Sequence, residues 1–203
     1  MEKQPPALQE NLTFHPYNVM LFLLLFGLTF LFLALTAGYC YIRVTKGVPP
    51  VQLPGLFFLN TAILLGSSYT MIRAKKCYLL DNTAGYQQNL RATIGLSLLF
   101  MVMQGIAWTW LFKINSVGMG SSTTAGFLYV LSIAHFAHVL AGLPFLVVFY
   151  QKAVKHMVDP VTVLVYFSDP EKRLKLRLLG IYWHFLDLLW IYLVLFLGIN
   201  ALI

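Results

Sequence analysis

The run LLGIYWHFLDLLWIYLVLFLGINALI, residues 178–203, decides the fold. It is 26 residues long, and apart from tyrosine its ionisable members are His184 and Asp187. About 20 residues of helix cross a hydrocarbon core of about 30 Å, so a run this long and this apolar reads as a spanning helix. Working outward, four more such blocks occur. Residues 19–42 end at Arg43, and residues 53–72 end at Arg73. Residues 92–112 lie between Arg91 and Lys113, and a fourth block begins near Ala125 within the uncharged stretch 114–151. A transmembrane barrel would show short segments alternating apolar and polar residues, a pattern missing here. The sequence therefore predicts an all-α, polytopic membrane bundle of five transmembrane helices. Composition agrees: 59% of residues are apolar and 10% charged, against about 25% charged in soluble domains.

Orientation follows from Lys and Arg. The side holding the N-terminus would carry Lys3, then Arg73, Lys75, Lys76 and Arg91, then Lys152, Lys155, Lys172, Arg173, Lys175 and Arg177. The other side would carry only Arg43, Lys46 and Lys113. Eleven against three predicts a cytoplasmic N-terminus and an external C-terminus. The net charge of +7 is then accounted for by topology and anionic headgroups, with no nucleic-acid partner.

Residues 1–17 read as a polar cytoplasmic tail, followed by one membrane domain over 18–203. The first apolar block exceeds the 7–15 residues or so of a signal-peptide core. Cys40 falls at the outer end of the first helix and Cys77 just beyond the inner end of the second, a membrane thickness apart, which rules out a disulfide between them. Tyr39 before Cys40 argues against lipidation, and Asn11-Leu12-Thr13 reads as a chance glycosylation match on the cytoplasmic side.

Two connections should differ in stiffness: residues 47–54 (GVPPVQLP) form a rigid outer turn, and residues 115–124 (NSVGMGSSTT) a small-residue outer loop. The long inner connection holds an apolar run, 161–167, bracketed by Asp159-Pro160 and Asp169-Pro170. This run is too short to span and is expected at the interface or against a partner. The basic run KRLKLR, 172–177, then abuts the last helix as a cytoplasmic stop or an anionic-lipid contact. Small residues should let helices approach closely at Gly66, Ser67 and Ser68 in the second block and at Ala134, Ala137, Ala141 and Gly142 in the fourth, where Pro144 should kink the helix.

Ionisable residues deep in a span are costly and look for partners. Here they are His135, His138, His184 and Asp187. Members of each pair are three residues apart and share a face, while Trp183, Asp187 and Trp190 form one stripe. The economical reading pairs Asp187 with a histidine, either His184 or one from the fourth helix, to hold spans in register. Heme ligation by histidines of two helices, or a proton relay through Asp187, are the sharper alternatives.

The segment YWHFLDLLW resembles the last helix of subunit III of cytochrome c and quinol oxidases, whose hallmark is Trp-His-Phe-x-Asp-x-x-Trp. Trp183, His184, Phe185, Asp187 and Trp190 match it position for position. The fourth block resembles the penultimate helix of that family in its His-x-x-His pair, His135 and His138, followed by Val139. The second block is similar to the family's Leu-Asn-Thr segment, with Asn60 and Thr61 in place. The resemblance begins at what would be the third helix of the seven-helix form, as in shortened bacterial members. Two glutamates frequent in the family are replaced, one by Phe26 and one, three residues after Gln104, by Ala107.

What the resemblance implies is an accessory subunit without catalytic residues, heme, copper or other metal of its own. Its partners would be the catalytic subunit I, which with subunit II carries heme and copper, and membrane phospholipid. Its work would be stabilising the catalytic subunit and supporting proton uptake and oxygen-reducing turnover in a bacterial cytoplasmic membrane. A related subunit of a nitric oxide reductase, or an independent heme-binding or proton-conducting protein, are the competing readings.

Overall fold

The computed structural model describes residues 16–113, 118, 120–157 and 159–202. Among them are six helices and no strand: α1 Pro16–Lys46, α2 Leu56–Leu79, α3 Thr83–Lys113, α4 Thr123–His156, α5 Pro160–Ser168 and α6 Pro170–Leu202. Most of the expected tail, residues 1–15, lies outside the described residues, as does Asn11-Leu12-Thr13. Pro16 and Tyr17, read as tail, are the first residues of α1.

The long helices outrun the apolar blocks that announce them. A 31-residue helix such as α1 or α3 is about 46 Å long, well beyond the hydrocarbon core, so its ends reach the headgroup layer where Lys and Arg are solvated. The basic run 172–177 accordingly falls inside the first turns of α6 and does not precede it.

Four helices, α1, α3, α4 and α6, are long and apolar enough to cross a membrane. The remaining candidate of the five expected, α2, has 24 residues, about 36 Å of helix, but is less apolar. The reason is local: Asn60, Thr61, Ser67, Ser68 and Thr70 lie along it, followed by Arg73, Lys75 and Lys76. The amide and hydroxyl groups among them face other helices.

The links obey turn chemistry. Gly47, at φ +59°, closes α1 in the left-handed region, and Pro49 and Pro50 follow. Thr124 at the start of α4 donates to the Pro49 carbonyl at 3.1 Å, which brings this turn against the α4 N-terminus. Residues 115–117 and 119 of the expected outer loop lie outside the described residues; Ser122 caps α4, its Oγ accepting from the Ala125 N–H at 3.1 Å. Both Asp-Pro pairs open helices. Proline fits the first helical position because its missing N–H would have no partner there, and the Asp169 side chain accepts from the N–H groups of Glu171 and Lys172 at 2.9 and 3.3 Å. α4 runs unbroken through Pro144.

α2 and α3 pack antiparallel along their length. α6 packs on α2 and α4, and α1 lies against α4 and α6. Of the most apolar stretch of α1 only 17% is buried, against 39% for α6, which makes α1 peripheral and α6 central. One apolar cluster gathers around Phe100, Leu128 and Trp190, and a second around Met71, Tyr86 and Trp183. α5 closes the second: Tyr166 and Phe167 are buried there, and the Tyr78 hydroxyl donates to the Tyr166 carbonyl at 3.2 Å. Its opposite face, Val161, Leu164 and Val165, is exposed.

Candidate functional site: a polar seam through the bundle

The polar residues of α2 fall into two files seven residues apart, two helical turns. Asn60 and Ser67 face α3, and Thr61 and Ser68 face α6. Asn60 Nδ2 donates to Gln104 Oε1 at 2.8 Å, with both residues fully buried. Ser67 and Ser97 hydroxyls meet at 3.4 Å, and those of Thr70 and Thr93 at 2.8 Å. Toward α6, Trp190 Nε1 donates to Thr61 Oγ1 at 3.1 Å and Trp183 Nε1 to Ser67 Oγ at 3.0 Å, so that Ser67 serves both neighbours. The two tryptophans are seven residues apart on α6 and their acceptors six apart on α2, which runs antiparallel to it.

Asn60, Thr61 and the α6 motif residues lie in or beside this seam. Trp190 stacks on Phe57, with ring centroids 5.6 Å apart, and meets Phe100 edge-on at 5.2 Å. His184 Nδ1 shares a proton with Ser68 Oγ at 2.7 Å, and its nearest carboxylate oxygen, Asp187 Oδ2, stands at 3.9 Å. Asp187 is nearly buried while His184 is more than a third exposed. Phe185, half-buried, packs on the first apolar cluster.

The histidine nearest Asp187 is thus the one on its own helix, at a distance beyond a hydrogen bond, and the link from His184 to a second helix runs through Ser68 to α2. The histidines of α4 go elsewhere. His135 is fully buried against Trp190 and Phe100, at ring distances of 4.9 and 5.9 Å, and neither of its nitrogens has a hydrogen-bond partner among the described residues. His138 turns toward α1, edge-on to Phe32, with Nδ1 on its own Ala134 carbonyl at 2.6 Å. α4 and α6 are joined instead by the Tyr182 hydroxyl, which donates to the His138 carbonyl at 2.8 Å.

Close approach there depends on Gly142. A Cβ at this position would stand 2.8 Å from Tyr182 Cε1 and 3.1 Å from Trp183 Cζ3. Ala137 and Ala141, from the same small-residue set, are exposed, and a Cβ on Gly66 would make only ordinary contact. Phe26 also points outward, in a ladder with Phe22 and Phe30.

Sequence reasoning missed Gln104 as the partner of Asn60, and the hydroxyl pairs of α2 and α3. Their signal was the spacing of Thr93, Ser97 and Gln104 along one face of α3. The chemistry on offer is hydrogen bonding between helices. Among the described residues no three His, Cys, Asp or Glu side chains gather as a metal site would require.

Fold and seam together define a polytopic helical membrane protein whose helices are tied by buried hydrogen bonds. The family model for cytochrome c oxidase subunit III matches residues 12–201, and the chain belongs to that family. It is thus a membrane protein of the heme-copper oxidase subunit III type. The cytochrome c oxidase subunit 3 of Emericella nidulans is 30% identical over 149 residues, covering 73% of this chain and 49% of that protein. That of the turtle Pelomedusa subrufa is 27% identical over 197 residues, covering 93% and 69%, and that of Synechocystis 27% over 184 residues, covering 86% and 71%. The chain spans about half the length of the fungal and insect relatives it matches.

Proposed function

We propose that this chain is a non-catalytic subunit III of a respiratory heme-copper oxidase, with five spanning helices, a cytoplasmic N-terminus and an external C-terminus. It stabilises the catalytic subunit I, binds phospholipid and supports proton uptake and oxygen-reducing turnover, while heme and copper reside in partner subunits. We assign it to the bacterial cytoplasmic membrane. The observation that carries the reading is the use made of the Trp183, His184 and Trp190 side chains: each hydrogen-bonds to α2, so the residues that mark the family hold helices together. The basic asymmetry of the connections supports the orientation. The antiparallel packing of α2 on α3 supports a fifth span, because hydrogen bonds inside the bundle compensate polar groups that lipid could not.

The test is purification of the native complex in mild detergent, with its subunits identified and optical spectra recorded. Co-purification with a heme- and copper-bearing catalytic subunit, and no Soret band from the isolated chain, is the expected result. A Soret band stoichiometric with this polypeptide and lost in His138→Ala or His184→Ala would overturn it. A nitric oxide reductase in place of an oxidase among the partners would move the assignment to that complex.

A further inference from the structure

The basic run of α6 has two faces. Lys172 and Lys175 are paired within the helix end, with Asp169 at 3.2 Å and Glu171 at 2.6 Å. Arg173 and Arg177, four residues apart, point the other way into a cleft of about 420 Å³ between the start of α6 and the end of α2. Lys75 of α2 lines the same cleft. None of these three cations forms an ion pair with a carboxylate among the described residues; Arg177 makes one long contact, 3.4 Å to Asn18 Oδ1. The nearby Asp169 is already engaged by Lys172 and by two backbone N–H groups. The remaining walls are apolar, with Leu79, Leu174 and Leu176 among them.

We propose that this cleft is a binding site for the phosphate group of an anionic phospholipid. Two guanidinium forks and an ammonium converging on one concavity suit a phosphate ester, since arginine matches phosphate oxygens bidentately. A free phosphate ion would use the cations alone. The leucines beside them match the glycerol and first methylenes of a lipid, and the cleft lies at helix ends, where headgroups sit. The lysines of the same run are neutralised locally, so the site is a selected subset of the cytoplasmic charge and more than its diffuse attraction. The inference rests on the membrane-spanning reading given above.

The full-length chain in neutral detergent would be titrated with phosphatidylglycerol, with phosphatidylcholine and with inorganic phosphate, and bound species counted by native mass spectrometry. The expected result is one retained phosphatidylglycerol, weakened about tenfold or more in Arg173→Gln/Arg177→Gln and unchanged in Lys172→Gln/Lys175→Gln. Should the arginine double variant misfold by circular dichroism, Lys75→Gln carries the test, with an expected loss of about fivefold. Equal losses from the two double variants, or no loss from any variant, would overturn the proposal. So would inorganic phosphate that binds the wild type and displaces the lipid, which would make the ligand a free anion. Because lipid is measured on the chain alone, failure here leaves partner identification standing, and failure there leaves this result intact.

Discussion

Asp187 is nearly buried in the middle of α6, and its Oδ2 has no hydrogen-bond partner among the described residues. A group so placed is sensitive to shape and polarity together. Asp187→Asn keeps both in part, so the complex should assemble and consume oxygen at close to the normal initial rate. Asp187→Leu removes the polar partner facing His184 and should loosen retention of this subunit or shorten the active lifetime, with the initial rate again near normal. Initial rate, turnovers before inactivation and subunit retention are the readouts; immediate loss of proton uptake in Asp187→Asn with the complex intact would establish a relay instead. Gly142 gives a second test at this scale. A methyl group there meets two rings within 3.1 Å, one of them the buried Trp183, so Gly142→Ala should destabilise the bundle by about 1–3 kcal/mol in detergent unfolding. Spacing placed Trp183, Asp187 and Trp190 on one stripe of α6, where they are all buried. It could not say which neighbour each side chain meets. His135 and His138, three residues apart, meet different neighbours: His135 the rings of Phe100 on α3 and Trp190 on α6, and His138 the ring of Phe32 on α1.

α2 shows how an element can be misjudged by apolarity alone. Its hydroxyl and amide groups lower its hydropathy but are consumed by α3 and α6, so they act as fasteners between helices. Interhelical hydrogen bonds in membranes are worth about 0.6 kcal/mol on average and seldom above about 1.7. Trp183→Phe should therefore cost about 1 kcal/mol, and Ser67→Ala added to it should cost little more, because both remove the same bond. A double-mutant cycle in detergent unfolding reads this directly, and strictly additive losses would mean the bond contributes nothing. At the start of α6, partial burial pushes the Asp169 carboxyl up, but hydrogen bonds from the Lys172 ammonium and from the Lys172 and Glu171 N–H groups outweigh it and hold its pKa below the usual carboxylate range. A depressed pKa contributes stability at neutral pH that is lost as pH falls through the folded value. Asp169→Asn should thus lower helix stability at pH 7 and bring wild type and variant together below about pH 4. A constant difference across that range would show the cap to be independent of charge. The Asp-Pro pairs made these helix starts legible in sequence. The extension of α6 back through the basic run was not, since a charge marks where a membrane ends and says nothing of where a helix does.

Across the whole molecule the number of spans turns on α2. Its packing along α3 argues that it does: a helix in antiparallel register with a span over most of its length cannot stay at one surface while its neighbour traverses. Cys40 and Cys77 make the test, being free, half-buried and on different helices. Cys40 lies toward the α1 end that meets the outer turn, and Cys77 toward the end of α2 beside the Tyr78, Tyr86 and Tyr166 cluster. With five spans and the N-terminus inside, an impermeant thiol reagent should label Cys77 only from the cytoplasmic face and Cys40 only from outside. The single variants Cys40→Ser and Cys77→Ser assign each signal. Inverted labelling would keep the bundle but reverse its orientation, and the excess of Lys and Arg on the Cys77 side would then need another cause. Labelling of both cysteines from one face would be the more damaging result. α1 and α2 would then not both cross, the pairing of Trp183 and Trp190 with α2 would have to form at a membrane surface, and four spans would replace five.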